Sequence, residues 1–175
     1  FLPETDDIGC EALMEAMNDI IELDLQIVIV GVGSPFFADY FRNLAEAYPK
    51  KLSFQPTDEP ERYFYLLAGA DFALLPQTNP VSPELLLRAA RLGVIPITRP
   101  QPATLEWLAP HSKAKSGSIP SFYLTDYEPT TVFAAIKEAC DIVLENKRFA
   151  KLMQLAMRIN RSWKDCAKDY LKIYR

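Results

Sequence analysis

The sequence has little of the residues that build metal sites and disulfide frameworks. It holds one histidine and three cysteines in 175 residues, and Cys10, Cys140 and Cys166 lie far apart without a Cys-x-x-Cys pair. This spacing indicates neither a zinc site nor a disulfide framework. We therefore expect no metal, no cofactor, and free thiols in a reducing compartment such as the cytoplasm.

The sequence also lacks an excess of positive charge and a long apolar run. Its net charge is −4, whereas a nucleic-acid partner needs clustered Lys and Arg to neutralise phosphates. No run of about 20 apolar residues could span a bilayer, and residues 1–7 lack the pattern of a signal peptide. We expect neither a nucleic-acid nor a membrane partner, and the length and 49% hydrophobic content favour one globular domain over residues 1–175.

Helical and strand patterns alternate along the chain. Apolar residues at helical spacing predict a first helix over Asp6–Leu23, and the β-branched run Gln26–Val30 predicts a strand covered on both faces. Further strands are predicted at Lys51–Gln55, Asp71–Pro76, Val94–Thr98 and Ser121–Leu124, and further helices at Pro35–Tyr48, at 63–67, at Pro83–Leu92 and at Ala103–Leu108. This order predicts an α/β fold with a Rossmann-like doubly wound parallel sheet, which binds ligands at the carboxyl ends of its strands.

The last third of the chain holds a polar stretch and a helical segment. Residues 110–120 are rich in Ser, Lys, Gly and Pro without periodicity, which predicts a surface loop. We interpret His111, which lies in it, as an exposed residue with a structural role. Residues 126–175 are predicted to be mainly helical, with breaks near Asn146 and Asn160.

Two strand-to-helix connections hold polar candidate residues. Gly31-Val32-Gly33 and Ser34 follow a strand, where glycine lets the backbone approach a phosphate and a helix N-terminus offers free N–H groups. The third glycine of the dinucleotide fingerprint is missing, so a plain tight turn and a phosphate contact are equally open. The segment Pro76–Pro83 suits either a polar ligand or a stiff loop, and it contains no carboxylate or base.

Four segments resemble the C-terminal, nucleotide-sugar-binding half of the glycogen and starch synthases, which are glucosyltransferases of the GT-B architecture. They are Val30–Gly33, Ala68–Pro76, Arg91–Ile97 and Asp126–Pro129. The resemblance runs from about Gly9 to Arg175, and it implies a GT-B C-terminal domain closed by residues 126–175. It also implies a nucleotide sugar and an α-glucan as ligands, and a missing N-terminal GT-B half or partner chain.

The positions that match the family's donor site are changed in this chain. The family's Arg-Leu-x-x-x-Lys-Gly turn matches Pro3–Gly9, so Pro3 and Ile8 stand where two phosphate-binding cations are expected. The carboxylate of the family's Glu-Pro-Cys-Gly-Leu segment matches Pro80, and the Thr-Gly-Gly-Leu loop matches 101–104. The resemblance therefore implies no catalytic residue here. The small or polar residues that are left as candidate nucleotide-sugar contacts are Gly31, Gly33, Ser34, Thr78, Asn79, Ser82 and Arg99.

Three functions are compatible with these substitutions. The first is the ADP-glucose- or UDP-glucose-binding half of a glucan synthase, with weak or no catalysis, in the cytoplasm or in a plastid if the source is a plant or alga. The second is a non-catalytic module that binds glucan or another synthase subunit. The third is a diverged glycosyltransferase with another donor.

The family pattern also bears on the predicted sheet. It places a strand in the middle of the sheet before the Arg-Leu turn, and only Phe1-Leu2 precedes the matching Pro3. We therefore expect the neighbouring strands to lack a partner on that side. We further expect the chain either to be part of a longer protein or to associate through that gap.

Overall fold

The computed structural model describes residues 8–31, 34–57, 59–76, 78–79, 81–160, 167 and 170–174. The predictions that fall on Pro3, Gly33 and Pro80 lie outside these residues. The described elements, in chain order, are α1 (Ile8–Glu22), β1 (Ile27–Val30), α2 (Pro35–Ala47), β2 (Leu52–Gln55), α3 (Pro60–Ala68), β3 (Phe72–Leu75), α4 (Pro83–Leu92), β4 (Ile95–Thr98), β5 (Leu108–Pro110), a 3₁₀ turn (His111–Lys113), β6 (Ile119–Tyr123), α5 (Pro129–Leu144) and α6 (Asn146–Met157).

The strands are parallel, as predicted for an α/β fold, and they form two sheets. β1 pairs with β2, so that Ile27 lies opposite Leu52, and the second sheet has the order β3-β4-β6-β5. Within the described residues, β1 pairs only with β2 and β3 pairs only with β4. Among the described residues, β1 and β3 therefore each have one edge without a strand neighbour.

One apolar core joins both sheets to the helices. Phe37 and Phe41 of α2, Leu75 of β3 and Phe122 of β6 are among its fully buried side chains. Burying each such side chain contributes about 1.5–3 kcal/mol, so the shared core holds the two sheets in one unit. Lys51 fastens α1 to the first sheet, because its Nζ donates to the carbonyl oxygens of Ile21 and Leu23 at the end of the helix.

Local signals place several helix ends correctly. α4 runs over Pro83–Leu92 as predicted, and it ends at Gly93, whose φ of +82° is a conformation that glycine adopts without strain. α2 begins after Ser34 with a proline in its first turn, which suits a helix start.

Two predictions for the segment between β4 and β6 are wrong. Residues 103–107 form turns instead of a helix, since the Thr104 hydroxyl bonds to the Gln101 backbone and so competes with helical hydrogen bonding. Residues 110–120 are not a plain loop, because β5, the 3₁₀ turn and the start of β6 lie there. Leu108 pairs with Ile119, and both are buried. Composition alone does not reveal this pairing between distant residues.

The prediction of a doubly covered first strand is wrong at one residue. Val28 of β1 lies opposite Ser53 and is 50% exposed. Val30, on the same face as Val28, and Ile29, on the other face, are both buried, so the exposure on that face is confined to Val28.

The helical C-terminal segment is confirmed between Pro129 and Met157. α5 and α6 are separated at Glu145, next to the predicted break at Asn146. Residues 161–166, 168–169 and 175 lie outside the described part, whereas 167 and 170–173 are helical. None of the described helices is long and apolar enough to cross a membrane.

Candidate functional site

The candidate site lies at the carboxyl ends of the parallel strands. The Thr98 hydroxyl, at the end of β4, donates to the Leu75 carbonyl oxygen at the end of β3 over 3.1 Å, and this bond aligns the two strand ends. The loops that follow β3 and β4 therefore leave the sheet side by side. This edge is where doubly wound sheets bind their ligands.

The connection between β1 and α2 caps the start of α2 with one of its own side chains. Gly31 has a φ of +131°, which favours glycine, and its N–H donates to the Gln55 carbonyl oxygen over 3.2 Å. Ser34 is buried, and its Oγ accepts from the Phe37 N–H at 3.5 Å. One of the free N–H groups that a phosphate would use is thus occupied by a hydroxyl.

Gln101 joins the loops that follow β3 and β4. Its Nε2 donates to the carbonyl oxygen of Thr78 at 2.9 Å and to that of Asn79 at 3.4 Å. Thr78 and Asn79 are both exposed at this edge. Our sequence interpretation did not include Gln101 in the site. Its hydrogen bonds are not evident from the sequence, because its partners lie more than 20 residues earlier in the chain. The match of residues 101–104 to the family's Thr-Gly-Gly-Leu loop is the signal that could have found it.

Arg99 is the exposed cation that follows β4. Its guanidinium carbon lies 4.9 Å from the centre of the Tyr127 ring, which is a cation–π arrangement. Within the described residues Arg99 forms no ion pair. Tyr127 was also missed as a site residue. The position of its Asp-Tyr-Glu-Pro segment just after β6 is the signal that could have identified it.

Asp126 lies next to this pair and stays ionised at neutral pH. Hydrogen bonds from the Thr131 hydroxyl and the Glu128 N–H hold its pKa below the usual value, and the charge of Arg99 contributes less. A carboxylate with a lowered pKa does not serve as a general acid near pH 7. Its negative charge also weakens the attraction of Arg99 for an anionic ligand.

Ser82 is the last residue of the connection that follows β3. It precedes α4 and lines a cavity of about 230 Å³ with Phe64 and Arg88. The Arg88 guanidinium lies 4.0 Å from the centre of the Phe64 ring and bonds to the Glu84 carboxylate. No described hydrogen bond or ion pair joins Ser82 to Ser34 or Arg99. The described contacts therefore do not link these three candidate residues into one cluster.

Ile8, which the family resemblance matches to a lysine, is the first residue of α1. Its side chain is 56% exposed, so the first turn of this helix presents an apolar group to solvent. Such a group cannot pair with a phosphate. Pro80, at the position of the family's carboxylate, lies outside the described residues.

The site can hold a polar ligand by hydrogen bonding. It offers the amide of Gln101, the guanidinium of Arg99 and hydroxyls near the strand ends. In the part of the chain that the structure describes, no three His, Cys, Asp or Glu residues lie close enough to hold a metal ion. The described residues of this edge thus offer polar groups but no evident acid–base pair.

The side chain of His111 is largely buried, contrary to the interpretation of an exposed residue. Its side chain is 9% exposed, and its ring stacks on Phe122 with centroids 4.3 Å apart. Its Nε2 lies 3.4 Å from Oε1 of Glu138. Burial lowers the His111 pKa, while the Glu138 charge opposes this effect. His111, Phe122 and Glu138 lie in three different elements. These contacts are therefore not evident from the polar residues next to His111 in the sequence.

Among the described residues, Cys10 and Cys140 form no disulfide. Cys10 is buried, and burial raises the pKa of the Cys140 thiol. A raised pKa keeps the thiol protonated and poorly reactive. The prediction for Cys166 falls outside the described residues.

Comparison with known proteins identifies relatives along nearly the whole chain. No family model matches it. It is 32% identical over 168 residues to a glycogen synthase of Chlorobium limicola, covering 95% of this chain and 34% of that protein. It is 29% identical over 171 residues to a glycogen synthase of Chlorobaculum parvum, covering 97% and 34%. The chain thus spans about a third of the length of these relatives.

A solved structure shares the fold. The catalytic domain of starch synthase IV from Arabidopsis thaliana, bound to ADP and acarbose, matches with a TM-score of 0.77 and 17% sequence identity. The match covers 97% of this chain and 36% of that one. At this identity the likeness establishes the fold.

Proposed function

We propose a function for this chain from its sequence relatives and from its candidate site. The chain is related to the glycogen synthases over 95% of its length, and it has the GT-B fold found in a starch synthase catalytic domain. We infer that it is the nucleotide-sugar-binding half of an α-1,4-glucan glucosyltransferase and that its transfer activity is weak or absent. Its ligands on this proposal are ADP-glucose and an α-glucan. A cytoplasmic location, as for a bacterial glycogen synthase, is part of the same proposal.

The observation that carries this proposal is the exposed Ile8 at the start of α1. The resemblance places a phosphate-binding lysine at this position, and the apolar side chain supplies no charge there. Losing one positioned donor typically costs about 2–4 kcal/mol of transition-state stabilisation. The resemblance also matches Pro80 to the family's carboxylate, so a second group that would contact the nucleotide sugar is absent.

The remaining polar groups support weak ligand binding. Arg99 is exposed and forms no described ion pair, and Gln101 ties Thr78 and Asn79 to its own loop. A diphosphate would depend on Arg99 and on the turn around Gly31, because Ser34 already occupies one N–H of α2. We propose Gly31, Gly33, Ser34, Thr78, Asn79, Ser82 and Arg99 as the residues around the nucleotide sugar.

Two measurements test this function. Incubating the chain with labelled ADP-glucose and glycogen should give no incorporation above a heat-killed control, and incorporation above that control would contradict the expectation that the chain alone transfers no glucose. A thermal-shift series with ADP, ADP-glucose and maltoheptaose tests binding, because a ligand that binds only the folded state raises the melting temperature. We expect small shifts at millimolar nucleotide.

The same series separates the second candidate function, a non-catalytic module that binds glucan or a synthase subunit. The changed donor positions favour this candidate, since they remove charge while the apolar frame remains. A shift with maltoheptaose and none with either nucleotide, even at millimolar concentration, would favour the non-catalytic module as the function of this domain.

A further inference from the structure

A groove lies between α2 and the outer edge of β2. Its volume is about 530 Å³, and Leu52 and Phe54 of β2 line it together with Arg42 and Glu46 of α2. A four-residue connection joins the two elements, so they run in opposite directions. The Arg42 guanidinium lies 5.9 Å from the Phe54 ring centre, which puts the positive charge at the Phe54 end. Glu46, one helical turn later, lies toward the Leu52 end.

The edge of β2 carries unpaired backbone groups. Ile27 N–H donates to the Lys51 carbonyl and Gly31 N–H to the Gln55 carbonyl, so residues 51, 53 and 55 face β1. Because alternate residues of a strand bond to opposite edges, the groups of Leu52 and Phe54 face outward. The Leu52 N–H is satisfied by the Tyr48 carbonyl. In the described residues this leaves the Leu52 carbonyl and both backbone groups of Phe54 without a strand partner.

We propose that this edge is a homodimer interface, in which β2 pairs antiparallel with β2 of a second copy of the chain. The two-fold axis passes between Ser53 of one copy and Ser53 of the other. Phe54 therefore lies opposite Leu52 of the second copy. The Phe54 N–H then donates to the free Leu52 carbonyl of the other copy. Both copies make this bond, so every outward N–H of β2 gains a partner.

The charges of the groove favour a second copy as its occupant. Antiparallel pairing reverses the direction of the partner, so Arg42 of each copy faces Glu46 of the other. Opposite charges on facing strands and helices stabilise a pairing, and like charges oppose it. Arg42 contacts Asp39 within its own helix, but both side chains are at least half exposed, and such a pair contributes little and is readily exchanged.

The surroundings limit the pairing to a short segment. Pro49 and Pro56 flank β2, and proline cannot extend a ladder of strand hydrogen bonds. The edge is thus suited to a closed pair instead of open-ended association. This inference concerns an edge of the fold and does not depend on the proposed function.

Charge reversal tests the interface. Sedimentation equilibrium of the 175-residue chain should show a concentration-dependent dimer. Arg42→Glu or Glu46→Arg places like charges together at two symmetric points, and we expect each to weaken the dimer about tenfold or more. The double variant Arg42→Glu/Glu46→Arg should restore the affinity to within about threefold. The control Arg88→Glu/Glu84→Arg exchanges a matched pair on α4 and should change nothing.

Two results of that experiment would overturn the inference: a wild-type chain that stays monomeric at every concentration, or a dimer that the single reversals leave unchanged. A chain that stays monomeric would favour a peptide of another protein as the occupant of the groove. A dimer unchanged by the single reversals would place the dimer contact elsewhere on the chain. Circular dichroism on each variant ensures that a loss of dimer is not a loss of fold.

A cysteine at the two-fold axis gives an independent test. Opposed residues in such a non-hydrogen-bonded pair lie about 4.5 Å apart, within the range of a disulfide. Ser53→Cys should therefore form a disulfide-linked dimer on mild oxidation. The exposed Ser116→Cys is the control, and the unmodified chain gives the background of its own thiols. Equal cross-linking of the Ser53 and Ser116 variants would refute this register and would favour association elsewhere, including the free edge of β1.

Discussion

Gly93 lies against the side chain of Met157, so closely that a Cβ on Gly93 would stand 2.6 Å from Met157 Cε. The contact joins the end of α4 to α6 and fixes the C-terminal helices against the sheet. Gly93 has a φ of +82°, which an L side chain rarely adopts. Two separate causes, backbone strain and crowding, therefore favour glycine at this position.

We expect Gly93→Ala to lower the free energy of unfolding by about 1–2 kcal/mol through backbone strain, with a further loss from displacing Met157. Gly117→Ala is the matched control, because Gly117 has a φ of +94° but no atom within 4 Å of the added Cβ. Urea unfolding of both variants measures the difference. A smaller loss for Gly93→Ala than for Gly117→Ala would show that the Met157 contact costs nothing.

The hydroxyl of Ser34 should stabilise the start of α2. It accepts the Phe37 N–H, so Ser34→Ala leaves that donor without its cap and should cost about 1 kcal/mol. Ser82 precedes α4 without a side-chain cap bond, and Ser82→Ala should change stability by less than half of that. Thermal or urea unfolding compares the two. Equal losses would mean that the 3.5 Å contact of Ser34 contributes nothing.

Helix boundaries were predictable where the signals are local. The proline at the start of α4 and Gly93 at its end act within their own turns, and both ends were predicted correctly. The pairing of β5 with β6 was not, because it depends on Leu108 meeting Ile119 across a polar stretch. A sequence window around either residue does not contain this contact.

The candidate site was predictable in outline. Its place at the strand ends follows from the α/β pattern, and Arg99, which follows β4, was identified from the family resemblance. The bonds of Gln101 to Thr78 and Asn79 and the ring contact of Arg99 with Tyr127 were missed. They join loops from different strands, and these loops meet only in the folded chain.

Burial of His111 should make the stability depend on pH. Its folded pKa is below the ordinary value of 6.5, mainly because burial disfavours the charged ring. Protonation therefore favours the unfolded chain. The stability that the neutral ring contributes is fully present above pH 6.5 and is lost as the pH falls through the folded pKa.

Proton NMR can measure this pKa directly, since His111 is the single histidine of the chain. We expect a midpoint below 6.5 and, in unfolding experiments between about pH 5 and 8, a slope that His111→Gln reduces. A midpoint at or above 6.5 would mean that the Glu138 charge outweighs burial.

Restoring a cation at the start of α1 should strengthen nucleotide binding. Ile8→Lys returns a positive charge to the position where the family's lysine is expected, and we predict about tenfold tighter binding of ADP, which corresponds to about 1.4 kcal/mol. Asn18→Lys is the control, because it adds the same charge at an exposed position three turns further along α1. Equal gains in both variants would show a general charge effect and no specific site.

The central claim is that this domain keeps the frame of a glucan synthase while its donor-site charges are lost. Calorimetric titration of the unmodified chain with ADP tests it most directly. We predict a dissociation constant in the millimolar range or no measurable heat, because a helix N-terminus at an exposed site contributes only about 0.3–1 kcal/mol. A micromolar dissociation constant would contradict the account, because it would require an intact diphosphate site that Arg99 and its neighbours alone do not provide.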